Sequence, residues 1–444
     1  MTAEKSREKI LVDDWELREE IQKKHGKSVE ELYQEREKRL YDAITLKVPD
    51  RVPVLFCGTY PACKYAGIPF SSVYYDAPAW KSALKRMLVD FAPDGWGNIN
   101  SGAGTALDIL DSNYEWHPGG KLPPDLPHQI NEQEYMKEDE YDLFLLDPSD
   151  YIIRYWMPRV YNSMKLLSTL PPLRNLGTNA TAFATFFDSP EFEQFARVMK
   201  EAGQEKKKWD KAVGNLEQEM TSIGFPPDPF WKMGGGVMPP FSGFSNSFRG
   251  FRGVGIDMFR RPDKLKAALE KFLEFRISQA KPAIHQDDKP AVGGAGESHR
   301  VSDEFLSIKQ FEEFVWPNWK RAIEITFDLG YDVIRMFFEG RRDNQLEYFT
   351  DFPQGTFYIR IQESDMVRAK EILGHCACLC GNVPVTLLST GSPSEVEEYC
   401  KKLIQTCGKN GGLIITSSTT GYGEIKPENV KAMVDSAEKY GRYY

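Results

Sequence analysis

Four segments in the last third of this chain most constrain its fold. They are VIRMFFE at 333–339, FYIRIQE at 357–363, CACLC at 376–380 and GGLIITSS at 411–418. Each runs apolar for the length of a strand, ends in polar or metal-binding residues, and gives way to an amphipathic helix. Parallel β/α units joined by right-handed crossovers gather the carboxyl ends of their strands on one face, where residues distant in sequence meet. Both an architecture and a place for chemistry are implied.

The rest of the chain extends the pattern. Residues 1–46 carry alternating charges with Leu17, Ile21, Val29, Leu32 and Leu40 at helical intervals. This predicts surface helices whose charged side is solvated or faces another subunit. A first buried strand follows through Val52, Val54 and Leu55, then a helix over 79–91. Residues 113–150 are expected to form an irregular insertion, and 189–220 to be helical. The stretch 233–255 interleaves glycine with Phe241, Phe244 and Phe248, and is expected to be a mobile loop over a cleft. Further helices are expected over 262–284, 307–329, 344–351, 365–373, 392–407 and 427–440. A length of 444 residues, without a dinucleotide-binding glycine fingerprint, favours a closed barrel over an open sheet. The expected fold is α/β: a single (β/α)8 TIM-type barrel over 47–444, with an N-terminal helical extension over 1–46 and an irregular insertion.

Composition narrows the function. A net charge of −9 argues against nucleic-acid or anionic-membrane partners. No apolar run approaches the roughly 20 residues of a membrane span, and the charged amino terminus is unlike a signal peptide. Seven cysteines read as reduced thiols, so a cytoplasmic location is expected. Phosphate-binding G-x-x-x-x-G-K-[ST] loops and G-x-S-x-G nucleophile elbows do not occur.

Candidate chemistry lies at the strand ends. His299 sits in GGAGESHRVSDEF, after a glycine-rich strand end, among Glu297, Arg300 and Asp303. Glu339 ends the strand VIRMFFE and Glu363 the next one. A carboxylate there is partly desolvated yet faces substrate, which suits a metal ligand or general base. The competing role for Glu339 is an ion pair with Arg335, Arg341 or Arg342. HCACLC at 375–380 looks like a metal motif, but alternate strand residues lie roughly 6.6 Å apart. Zinc-bound sulfurs must approach within about 4.6 Å, so a buried cysteine strand is expected. Cys57 ends the first strand as a small core residue or soft ligand. His25, His117, His128 and His285 are expected to be structural or exposed.

Several segments together resemble the uroporphyrinogen decarboxylase superfamily: DRVPV at 50–54, FLSIKQFEEFVWPNWKRAI at 305–323, the run from 371 to 404 containing LCGNVPVTLLSTGSPSEVEEYC, and GGLIITSSTTGYGEIKPENVKAM at 411–433. The resemblance implies one β/α barrel with its active site at the strand carboxyl ends. Decarboxylases of this family carry an arginine-containing R-Q-A-G-R stretch after the first strand. Here LFCGTYPACKYAG at 55–67 has no arginine, leaving an octa-anionic tetrapyrrole without a cationic cradle.

The other branch of the superfamily comprises corrinoid-dependent methyltransferases. Its thiol-directed members hold zinc through an H-x-C pair and a later cysteine. At the matching strand end FFEG, Phe337 stands for the histidine and Glu339 for the cysteine, and the later position falls in TSSTTG at 416–421. The resemblance therefore implies the methyl-donor side, an O-demethylase acting on an aryl methyl ether and methylating the corrinoid (cobalamin) of a separate protein. Zinc would be bound by His299, Glu339 and Glu363, with Asp365 as a substitute ligand. Arg300 and Asn382 would orient substrate or stabilise the oxyanion, beside the catalytic Glu339 and His299. Tyr60, Phe241, Phe244, Phe248 and Phe337 would wall a planar ring. The charged leader offers a surface for a homodimer. A metal-free decarboxylase of an aromatic or pyrrolic acid and a non-catalytic binding barrel remain open.

Overall fold

A computed structural model describes residues 13–97, 101–175, 180–231, 235–285, 289–419 and 425–443. β1 (Leu55–Cys57) pairs in parallel with β2 (Gly95–Gly97). Within the insertion, β3 (Glu115–Trp116) and β4 (Gln129–Ile130) form a short antiparallel pair. The last third then lays down β5 (Val292–Gly294), β6 (Val333–Phe338), β7 (Phe357–Ile361), β8 (Ala377–Cys380) and β9 (Leu413–Ile414) as neighbours in chain order. All four pairings in this sheet are parallel. A parallel bridge from Val54 to Ile415 joins the two parallel sheets. At the outer edges Pro227 bridges Trp96 of β2, and Gly294 of β5 donates its N–H to Gly235 O at 3.1 Å. A continuous eight-strand ladder is not formed among the described residues.

The strands read as the pleat dictates. Ile334, Met336 and Phe338 of β6 are fully buried against the helical layer, whereas Arg335 and Phe337 on the alternate face keep partial exposure. Helices cover the outer face. Pro393–Cys407 begins at a capping box between Ser392 and Glu395 and buries Val396, Cys400, Leu403, Ile404 and Cys407, a stripe with the 3.6-residue period.

The amino-terminal helices belong to this packing. α1 (Asp14–His25) and α2 (Val29–Ile44) bury Leu17, Ile21, Val29 and Leu32 in the main core, each such side chain contributing about 1.5–3 kcal/mol. Leu40, Ala43 and Ile44 of α2 pack instead with Leu55, Val333, Tyr358, Cys378 and Ile414, sealing the amino-terminal floor of the strands. Asp94, fully buried, accepts hydrogen bonds from Arg39, Arg51 and the Val54 N–H, and so ties α2 to the start of β1.

Some expectations are corrected. From Phe241 onward the 233–255 stretch is helical, with a turn at Phe241–Gly243, a wider turn at Phe244–Phe248 and a helix over Gly250–Arg260. The phenylalanines at 241, 244 and 248 fall three and four apart, on one helical face, and their burial outweighs the freedom of the glycines. Residues 344–351 contain only a single tight turn, Leu346–Phe349. The helix from Pro262 ends at Gln279, short of Pro282. Among the described residues no helix is long and apolar enough to cross a membrane.

Candidate active site

The inner face of β6 presents Val333, Arg335 and Phe337 in turn, and Glu339 follows at the carboxyl end. There the Nδ1 of His299, from the loop after β5, shares a short hydrogen bond with Glu339 Oε2. An ionised carboxylate only accepts, so the bond fixes the ring with Nδ1–H toward Glu339. Among the described residues Glu339 thus bonds His299 rather than any of the neighbouring arginines.

Arg342 explains why these two loops meet. Its buried guanidinium donates to Glu297 O at 2.9 Å and Ser298 O at 2.7 Å, and through Nε to Glu339 O at 3.2 Å. It also lies over the rings of Trp319 and Phe338, and burial draws its pKa down to about 10. Glu297, fully buried, accepts from the Phe241 and Ser242 N–H groups, anchoring the other side of the His299 loop. Gly340 has φ +67° and gives its N–H to Gln362 Oε1 at 2.8 Å. A Cβ there would come within 2.7 Å of Ser302 Cβ, so a side chain would push the β5 and β6 loops apart.

Below the mouth lies a polar group that sequence reasoning did not single out. Asp228 accepts from Tyr358 OH at 3.0 Å and from the Phe230 N–H at 3.0 Å. Burial raises its pKa to about 6, against the pull of those hydrogen bonds and of Arg360 and Arg335. Arg360 donates to Ser417 O at 3.1 Å and lies over Phe337, and Arg335 lies over Phe230. Arg335 also rests against Gly294, where a Cβ would meet its Nη2 at 3.1 Å. The available signal was an arginine at alternate positions in VIRMFFE and FYIRIQE, charges that an inward-facing strand position retains only for a partner.

The other sequence candidates are dispersed. Arg300, at φ +62°, pairs with Glu132 of the insertion and lies over both Phe251 and Phe305. Asn382 donates to Ser364 O at 3.1 Å and accepts from Tyr399 OH at 2.8 Å. Glu363 and Asp365 line a separate groove of about 810 Å3 with Asn382 and Tyr399. An Asp365 carboxylate oxygen caps the helix Met366–Leu373 by accepting from Val367 and Arg368 N–H groups. Tyr60 is buried, with its hydroxyl accepting the His128 N–H at 3.1 Å. Phe244 is fully buried among Phe144, Phe248 and Phe272, and Phe241 is 2% exposed in the same core. Only Phe337 of these rings opens toward the strand interior.

All seven cysteines are buried. Cys378 and Cys380 face inward, whereas Cys376, ahead of the strand, turns to the outer core. Burial pushes the Cys378 thiol up to about 12, which holds it protonated. The TSSTTG stretch is described only as far as Thr419. His299 and Glu339 offer two zinc-type donors, but among the described residues no group of three or more His, Cys, Asp or Glu could hold a metal. The expected four-donor set does not fit one ion.

Comparison with known proteins places this parallel β/α scaffold. Residues 228–440, just under half of the chain, match the family model described as Uroporphyrinogen decarboxylase (URO-D). A solved structure, a methyltransferase from Methanosarcina mazei, superposes with a TM-score of 0.55 at 14% identity, covering 91% of this chain and 98% of that one. No curated protein matches the chain.

Proposed function

We propose that this protein is a methyltransferase that removes the methyl group of an aryl methyl ether and delivers it to the corrinoid of a separate protein. The contact between His299 and Glu339 at the mouth, directly above Phe337, carries the reading. The likeness of fold to the archaeal methyltransferase supports it, as does the sequence resemblance to the corrinoid-dependent branch. We also take residues 225–231, which touch β2, and 235–237, which touch β5, to complete the ring of a single (β/α)8 barrel.

The partner's corrinoid supplies the nucleophile that accepts the methyl group. This chain's residues do the rest. Phe337 offers a face for the aromatic ring. As the C–O bond breaks, the oxygen keeps the electron pair and takes a proton from the His299 imidazolium at Nε2. Glu339, bonded to Nδ1, stabilises that imidazolium beforehand. A phenol, with a pKa near 10, is a far better leaving group than an alcohol.

Zinc held by His299 and Glu339 is the alternative to that proton: bound there it would polarise the ether oxygen in place of the imidazolium. A second reading, decarboxylation of an aromatic acid, is favoured by the interior arginines and the family match. Incubating purified protein with methoxylated phenols and chemically reduced free cobalamin separates them. Release of the free phenol is expected; carbon dioxide release, or no turnover across the panel, overturns the proposal.

A further inference from the structure

We infer that the substrate is an anion, an aromatic carboxylate whose acid group points to the barrel floor at Arg335 while its methyl ether lies at the mouth. The ether end rests on the demethylation reading; the acid end rests on different residues.

Successive inward positions of β6 run Arg335, Phe337, Glu339, at a rise of roughly 6.6 Å per pair. From floor to mouth they present a cation, an aromatic face and the His299–Glu339 pair. A ring bearing a carboxylate at one end and an ether at the other presents the complementary groups in the same order. Among the described residues Arg335 has no hydrogen bond or ion pair: it lies over Phe230, and Asp228 acts on it only through space. Tyr358 OH and the Phe230 N–H both donate to Asp228 Oδ1. Arg335 is nonetheless only partly exposed, with Gly294 leaving room for its guanidinium.

A desolvated guanidinium without a bonded anion is unfavourable, and its fork geometry matches a carboxylate bidentately. Cys57, Phe230, Phe337 and Cys380 form the apolar surroundings, where such a bond gains strength. Arg360, over the Phe337 ring, adds positive potential beside the same ring.

Calorimetry on the full chain, without corrinoid, tests this with para-methoxybenzoate, its methyl ester, methoxybenzene, benzoate and benzamide. The acid is expected to bind at least about tenfold tighter than its ester or methoxybenzene. That ratio should fall toward one in Arg335→Gln and be partly kept in Arg335→Lys, which preserves the charge and loses the fork. Equal affinity of wild-type protein for acid and ester overturns the inference, as does a ratio unchanged in a folded Arg335→Gln. Should that variant not fold, displacement of para-methoxybenzoate by benzoate but not benzamide supports the anchor, and equal displacement refutes it. Benzoate binding through Arg335 with no ether losing its methyl group upholds the anchor and sinks the demethylation reading. Demethylation of neutral ethers with no preference for acids does the reverse.

Discussion

His299 Nδ1 meets Glu339 Oε2 at the mouth of the parallel sheet, across 40 positions of sequence. The pair sits at the surface of the mouth, away from the core, so its chemistry can be altered without a large loss of stability. Glu339→Gln should lower methyl transfer by roughly 10²–10⁴-fold while leaving the melting temperature within a few degrees. Phenol release and a thermal melt check both halves. Full activity in the variant would remove Glu339 from the mechanism.

Arg342 holds the two loops through three backbone carbonyls. Arg342→Met should fill much of its volume yet leave those carbonyls without a donor, at about 1–3 kcal/mol each. Urea denaturation should show the loss, and kcat should fall with it because His299 and Glu339 no longer meet. Arg342→Lys should recover part of the stability and less of the turnover, since one ammonium cannot reach all three oxygens.

Phe244 and Phe337 are expected to answer differently. Phe244, fully buried in an aromatic cluster, should cost about 3–5 kcal/mol when changed to Ala. Phe337→Ala should cost less stability and raise KM for an aromatic ether. Denaturation curves and initial-rate kinetics on the two variants distinguish a ring that packs from one that meets substrate.

Asp228 gives a pH signature. Burial raises its pKa to about 6, against about 3.9 in the unfolded chain. Between these values the folded protein holds a proton that the unfolded chain has released, so stability falls as pH rises through the window. Asp228→Asn removes that dependence. Relative to wild type it should gain roughly 3 kcal/mol between pH 4 and pH 7, read as the change in urea midpoint. A constant difference across that range would show that Asp228 ionises normally.

If His299 and Glu339 hold zinc, gently purified protein should carry about one equivalent, and the double variant His299→Ala, Glu339→Gln far less. Elemental analysis decides it, and metal-free wild-type protein with full turnover would remove zinc from the proposal.

Much of the fold was legible because apolar runs such as VIRMFFE and amphipathic stripes such as 393–407 are local signals. The meeting of His299 with Glu339 was foreseeable only through the rule that parallel strands end on one face. Arg342 was harder: among three nearby arginines, sequence does not say which turns inward to carbonyls. The phenylalanines of 241–248 misled because glycine-rich composition masked helical spacing. Glu363 and Asp365 lie after the next strand, but the turn sends them outward, toward the groove and the helix cap. Nothing in the sequence around them records that turn.

The floor formed by Leu40, Ala43 and Ile44 leaves the carboxyl end as the doorway. On the demethylation reading a small donor would enter before a macromolecular acceptor docks over it, and the spent phenol would depart only after that acceptor lifts away. Turnover would be paced by traffic through one opening, and excess corrinoid protein should slow it by trapping the chamber shut.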